Sequence, residues 1–211
     1  MKRIVLLGAV LLSFWASSGS AQAAPSVLGG KLLPRGDDAV RMWFGFPGFG
    51  ASYHTLLTPA LQVGPTLSMD YGTSLGVGAP VLFLNAGSEF KFRLYGKDKF
   101  ALAFVAEPTF RLGFHPTFMF GMGFRPRVQG TYDLTSQVSL LMRFGLPFEM
   151  LFYPTFVFYL PIAAGVGVEF PIADSWSMYL DQDIGPVVGV FSGGSMVQLY
   201  YRGEVGVVYR F

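Results

Sequence analysis

His54 stands two residues from Ser52 in "SYH", and His115 follows in "FHPTF"; these are the two histidines of the chain. A serine beside a histidine is the start of a hydrolase, because the imidazole takes the hydroxyl proton as the serine attacks. No recognisable catalytic motif surrounds this pair. Two isolated histidines without convergent carboxylates make no metal site. The chain has no cysteine, so thiolate chemistry, disulfides and a lipidated anchor are excluded. Catalytic and metal-ligating residues are therefore expected to be none, and so are cofactors.

The charges carry more information, because they keep to one parity of each extended segment. In "FALAFVAEPTFRLGF" the even positions Phe100, Leu102, Phe104, Phe110, Leu112 and Phe114 are apolar, while Glu107 and Arg111 are odd. "FMFGMGFRPRVQGTYD" sets Phe118, Phe120, Met122 and Phe124 against Arg125 and Arg127. The same holds for Arg143 and Glu149, for Glu169, for Asp181 and Asp183, for Glu89, Lys91 and Arg93, for Asp70, for Arg41, and for Arg202, Glu204 and Arg210. On this face nine basic residues meet eight acidic ones. Buried charge is tolerated when paired, so the expected chemistry is an ion-pair network. Its members are Arg93, Glu107, Arg111, Arg125, Arg127, Arg143, Glu149, Glu169, Asp181, Asp183, Arg202 and Glu204. A lining of one sign would have favoured an ion-selective pore; this one is balanced.

Period-two alternation is the mark of β-strands with two different faces. Here the apolar face holds the large residues and the charged face holds Gly, Ala, Ser and Thr, the inverse of a small soluble barrel. The chain is 52% hydrophobic and 13% charged, against about 25% charged in ordinary soluble domains. After the first 20 positions no apolar run is long enough for a spanning helix. Hydrophobicity spread over alternate residues fits a membrane β-barrel, and lipid admits strands only when the sheet closes on itself. The fold class read from sequence is all-β, a closed antiparallel up-and-down transmembrane β-barrel of eight to ten strands.

Turn signals recur at about 38-residue spacing: "LTPA" at 57–60, "GKDK" at 96–99, "LTSQ" at 134–137 and "IADS" at 172–175. Each interval holds two strands of membrane-spanning length and one outer loop, placed near 72–83, 113–118, 151–157 and 186–197. "AVRMWFGF" and "GASYHTLL" add a further pair if "PGFG" at 47–50 turns between them; otherwise 25–59 is a tail or plug over eight strands. Pro108, Pro147 and Pro186 are expected near the outer rim, where a lost ladder bond is tolerable. Lys2 and Arg3, the apolar "IVLLGAVLLSFWA" and the small residues through Ala21 and Ala23 form a secretory signal peptide over 1–23. The barrel domain is then 24–211, with 25–39 a periplasmic tail.

The last strand, "VQLYYRGEVGVVYRF", alternates apolar residues down to Val207, Tyr209 and terminal Phe211. This ending resembles the assembly signal of Gram-negative outer-membrane β-barrel proteins, and with the signal peptide and short inner turns the chain is similar to the small barrels of eight to ten strands. The resemblance covers the mature chain in pattern, not residue identity. It implies integral residence in the bacterial outer membrane and contact with its lipid and lipopolysaccharide. It also implies recognition by the barrel-assembly machinery. A monomer without nucleic-acid partners is expected. The functional expectation is a structural barrel or a narrow channel for small solutes. The rivals are a lipid-modifying enzyme at the outer rim and a barrel admitting small hydrophobic molecules through an aromatic mouth at Phe114, His115, Pro116, Phe152, Tyr153 and Pro154. A soluble, lipocalin-like carrier is the remaining alternative.

Overall fold

The computed structural model describes residues 27–71, 82–115, 118–153 and 155–211. The expected signal peptide, most of the first outer loop, and Pro116 and Pro154 lie outside the described residues. Alternation is realised as fourteen strands laid end to end in ten staves. The first four staves are β1 (Asp38–Phe46), β2 (Gly48–Thr58), β3 (Leu61–Asp70) and β4 (Leu82–Lys97). Four split staves follow: β5 (Phe100–Ala106) with β6 (Pro108–His115), β7 (Met119–Phe124) with β8 (Arg127–Asp133), β9 (Ser139–Gly145) with β10 (Phe148–Tyr153), and β11 (Val157–Pro161) with β12 (Ala163–Ala173). β13 (Trp176–Phe191) and β14 (Gly194–Arg210) complete the wall, and β1 pairs with β14 to close it. The "PGFG" turn is real, at Pro47, and the count is ten.

Closure can be followed residue by residue. From Gly194 the register partners run through Phe191, Val157, Leu151, Gly121, Arg111, Asn85, Ser68, Gly50 and Trp43, and return to β14 at Gly206, twelve residues from the start. Ten staves with that stagger must tilt to the barrel axis, by roughly 35–45° in barrels of this kind. Every described stave has both neighbours, so no full-length edge remains to be satisfied.

The proline expectation needs correction. Pro108, Pro147 and Pro186 do not end strands at the outer rim. With Pro126 and Pro161 they mark a line halfway up the wall where the ladder is interrupted in five consecutive interfaces. A proline has no N–H to give its neighbour; four staves split there into two strands each, while β13 runs on through Pro186. Single bonds bridge the line: Arg125 N–H donates to the Glu107 carbonyl at 3.0 Å, Leu146 N–H to Pro126 at 3.1 Å and Ile162 N–H to Pro186 at 2.9 Å. The outer loops are also shorter than expected. Residues 187–191 and 194–197 continue β13 and β14 across a two-residue turn, with Gly194 at φ 144°, a conformation glycine adopts without strain.

The N-terminal stretch is not a free tail. Residues 27–33 fold back into the short-turn end of the barrel, with Val27, Leu28 and Leu33 buried against Trp43, Leu141, Tyr179 and Val208. The segment belongs to no strand register, which is why it carries no alternation to read.

The start of the first stave and the last residue of the chain meet at the same rim. Asp38 N–H donates to the Phe211 carbonyl at 3.0 Å, and Phe211 N–H donates to Asp38 at 3.1 Å. The Phe211 ring lies 5.6 Å from Tyr209, which packs 4.7 Å from Trp176. Deleting Phe211 removes both closing bonds and the end of the expected assembly signal. Its outer-membrane level, measured by fractionation, is expected to fall while export across the inner membrane is unchanged; normal levels of the deletion would refute the signal role.

Candidate functional site: the charged interior

The inward face of the staves brings charges from separate hairpins to one place. Asp70 on β3 pairs with Arg111 on β6 at 2.9 Å, and Arg111 pairs with Glu149 on β10. Glu149 is 3.5 Å from Arg125, Arg125 is 3.4 Å from Glu107, and Glu107 is 2.5 Å from Arg127. Arg127 in turn lies 2.5 Å from Glu89 on β4. Seven charges alternate in sign across five staves. Glu107 and Arg125 occupy the breaks between β5 and β6 and between β7 and β8, so ionic contacts lace the wall where ladder bonds are missing. Two smaller groups sit beside this chain: Arg143 with Asp181 and with Asp183 at 3.0 Å, and Glu204 between Arg202 and Arg41, the latter at 2.9 Å.

Of the expected network residues, Glu107, Arg111, Arg125, Arg127, Arg143, Glu149, Asp181, Asp183, Arg202 and Glu204 lie in these contacts. Glu169 is buried and accepts a hydrogen bond from Ser177 Oγ at 2.6 Å. Arg93 is placed differently: its side chain is exposed, because the register of β4 on β5 slips between Arg93 and Tyr95 and ends the strict parity of the strand. Such a bulge re-aims side chains and leaves no trace in a hydrophobic pattern.

Aromatic residues on the inward face complete the site. The Arg41 guanidinium lies 4.5 Å from the Trp43 ring centre and 5.4 Å from that of Tyr179, and its Nε donates to the Tyr179 hydroxyl at 2.9 Å. Arg111 sits 4.5 Å over Phe83 and donates from Nε to Asn85 at 2.9 Å. Rings over guanidinium planes supply attraction without a counter-charge. The sequence singles out neither ring: Trp43 shares the parity of Arg41, and Phe83 falls at the edge of the outer loop expected near 72–83, where the structure instead has β4. Gly206 makes room for this packing: a Cβ there would stand 2.5 Å from the Tyr179 ring.

The Ser52–His54 pair lies inside the short-turn half and is buried. Ser52 Oγ is 2.8 Å from His54 Nε2. Gln62 accepts the Leu33 N–H at 3.0 Å through Oε1, which turns its amide nitrogen towards His54 Nδ1 at 3.3 Å. The network therefore assigns Nδ1 as acceptor and Nε2 as the protonated nitrogen. In that tautomer the imidazole donates to the serine instead of taking its proton, the opposite of what a nucleophile needs. The side chain of His115 lies outside the described residues.

The aromatic residues expected at an outer mouth face outward instead. Phe114, Phe152 and Tyr153 are exposed and join neighbouring rings on the external surface: Phe114 with Phe118 at 6.4 Å, Phe118 with Tyr153 at 6.3 Å and Phe120 with Phe152 at 5.5 Å. No group of histidines, cysteines and carboxylates able to hold a metal occurs among the described residues.

Among the cavities in the interior, one lies beside Pro47, Asp70, Arg125 and Tyr200 and another beside Arg41, Glu89, Arg127 and Arg143, each of about 20 Å³. That is room for one or two water molecules.

No protein-family profile and no curated protein sequence matches the chain. Solved structures with similar architecture do. A loop-deletion mutant of OmpT, an outer membrane protein of Vibrio cholerae, is 14% identical, with a TM-score of 0.39 over 82% of this chain; the chain spans 59% of that protein's length. The outer membrane protease OmpT from Escherichia coli is 9% identical with a TM-score of 0.42, over 83% of this chain and 93% of that one. The KdgM porin is 14% identical with a TM-score of 0.36, over 83% and 99%. Likeness of this degree assigns no site and no activity. The register circuit and the outward apolar face stand without it, and they make the chain an all-β protein with the architecture of the outer-membrane β-barrels, closed and antiparallel with ten staves.

Proposed function

We propose that this chain is an integral outer-membrane barrel with a structural role, whose charge-balanced interior is closed to solutes by its own ion pairs. The observation that carries the proposal is the alternating chain from Asp70 to Glu89, which runs along the inner wall over five adjacent staves at half height, beside interior cavities of about 20 Å³. A hydrated potassium or chloride ion needs a continuous path several times wider than a single water. The outward face supports residence in lipid: Phe44, Leu67, Phe144, Val166, Ile184, Val197 and Leu199 are exposed and form a belt that water would not tolerate. On this reading the partners are outer-membrane lipid and lipopolysaccharide around the belt, with the barrel-assembly machinery acting at the last strand, and the barrel works as a monomer without enzymatic activity. Cell fractionation with and without boiling tests the location. The expected result is an outer-membrane band that migrates faster unboiled than boiled; recovery as a soluble periplasmic protein would overturn it.

A further inference from the structure

We infer that the short-turn mouth of the barrel is a preformed peptide-binding site and that residues 27–33, "VLGGKLL", are its tethered ligand. The site is built from side chains of staves that already have both ladder partners, so it exists whether or not the segment is in place. Its recognition is directional. Lys91 Nζ donates to the Val27 carbonyl at 2.9 Å, and Gln129, with its amide turned to suit its neighbours, donates to the Leu28 carbonyl and accepts from Arg127 Nε at 2.5 Å each. Thr131 Oγ1 accepts the Gly30 N–H at 2.8 Å and Gln62 Oε1 accepts the Leu33 N–H at 3.0 Å. Four wall side chains thus read the main chain of a short segment that bends through Val27–Gly30.

Side chains set the selectivity. Val27, Leu28 and Leu33 fill the apolar floor made by Trp43, Leu141, Tyr179 and Val208. Lys31 pairs with Asp133 at 2.6 Å on the rim. Between them the peptide must be narrow: a Cβ on Gly30 would stand 2.6 Å from Leu102 N and closer still to the Ala101 carbonyl. The ligand class is a bent peptide of aliphatic residues around Gly-Gly, followed by a cation. The proposal concerns docking at one mouth and stands or falls apart from the location or conductance of the barrel.

The test uses the full chain carrying Leu28→Cys, a unique thiol because the protein has no cysteine. Its rate of reaction with a maleimide reports how often the segment leaves. An excess of synthetic peptide of residues 27–33 is expected to hold the mouth and speed labelling. The same peptide carrying Gly30→Val is expected to have no effect. In the full chain, adding Gly30→Val to Leu28→Cys is expected to speed labelling by about fivefold to 150-fold without peptide, since that is what an overpacking clash of about 1–3 kcal/mol converts to. Heat-modifiable migration of the same sample shows that the barrel stays folded. Equal labelling with both peptides, with neither peptide, or in the folded Gly30→Val chain would overturn the inference.

Discussion

Arg111→Met is expected to destabilise the folded barrel by about 3–5 kcal/mol, the cost typical of stripping one partner from a buried ion pair. The size follows from position. Arg111 serves Asp70 and Glu149 together, donates to Asn85 and lies over Phe83, with its side chain 7% exposed. Removing it takes the ion-pair partner from Asp70 and leaves Glu149 with Arg125 alone, in a site that little water reaches. Met keeps the apolar stem, so the loss is one of charge and not of volume. The measurement is the urea midpoint of unfolding in lipid vesicles, followed by loss of heat-modifiable migration. Pairing the change with Glu149→Gln should recover part of the loss, because the second substitution removes one of the stranded charges; strictly additive losses would mean that the two groups do not interact. A midpoint unchanged within error in Arg111→Met would mean that the interior is wet enough to solvate either partner alone.

Val166→Arg is expected to cost about 2–4 kcal/mol in bilayers, and Ile172→Arg no more than about 1 kcal/mol, as depth-dependent insertion of arginine on a barrel's lipid face requires. Both side chains are outward on the same split stave, at 62% and 56% exposure, and both meet nothing within the barrel that a longer side chain would disturb. They differ in height: Val166 is near the middle of the stave and Ile172 stands beside its short turn. In a water-soluble barrel two such exposed substitutions would be equally harmless. Equal and small effects at the two positions, measured by the same unfolding assay in vesicles, would therefore contradict a lipid-facing belt.

What the sequence made readable followed from a single physical rule. Where a strand separates two solvents, parity sorts every side chain, and so the inward positions of Glu107, Arg111, Arg125, Arg127 and Glu149 and the outward positions of their neighbours were readable one strand at a time. The first two staves were half readable: "PGFG" between two alternating runs is a hairpin signal, but the sequence left a tail or plug over eight strands open, and only the pairing of β1 with β14 decides for ten. Features that depend on register between strands were not. A proline that ends a strand and one that splits it look alike in a single chain; only the neighbouring staves place Pro108, Pro126, Pro147, Pro161 and Pro186 on one line. Arg93 keeps the parity of Lys91 but leaves the wall through a bulge that parity cannot register. The 27–33 segment binds through its main chain to wall side chains, and a main chain is the same in every sequence. His54 next to Ser52 suggested a nucleophile until Gln62, ten residues from the serine, fixed the imbalance of its proton.

Closure of the interior is the claim on which the functional reading depends, and conductance in a planar lipid bilayer measures it directly. The refolded full chain, inserted at levels confirmed by heat-modifiable migration, is expected to leave the membrane silent in molar potassium chloride across the usual range of applied voltage. Reproducible steps of a single unit conductance, abolished when the protein is omitted, would contradict it: the seven alternating charges from Asp70 to Glu89 would then line a path instead of closing one.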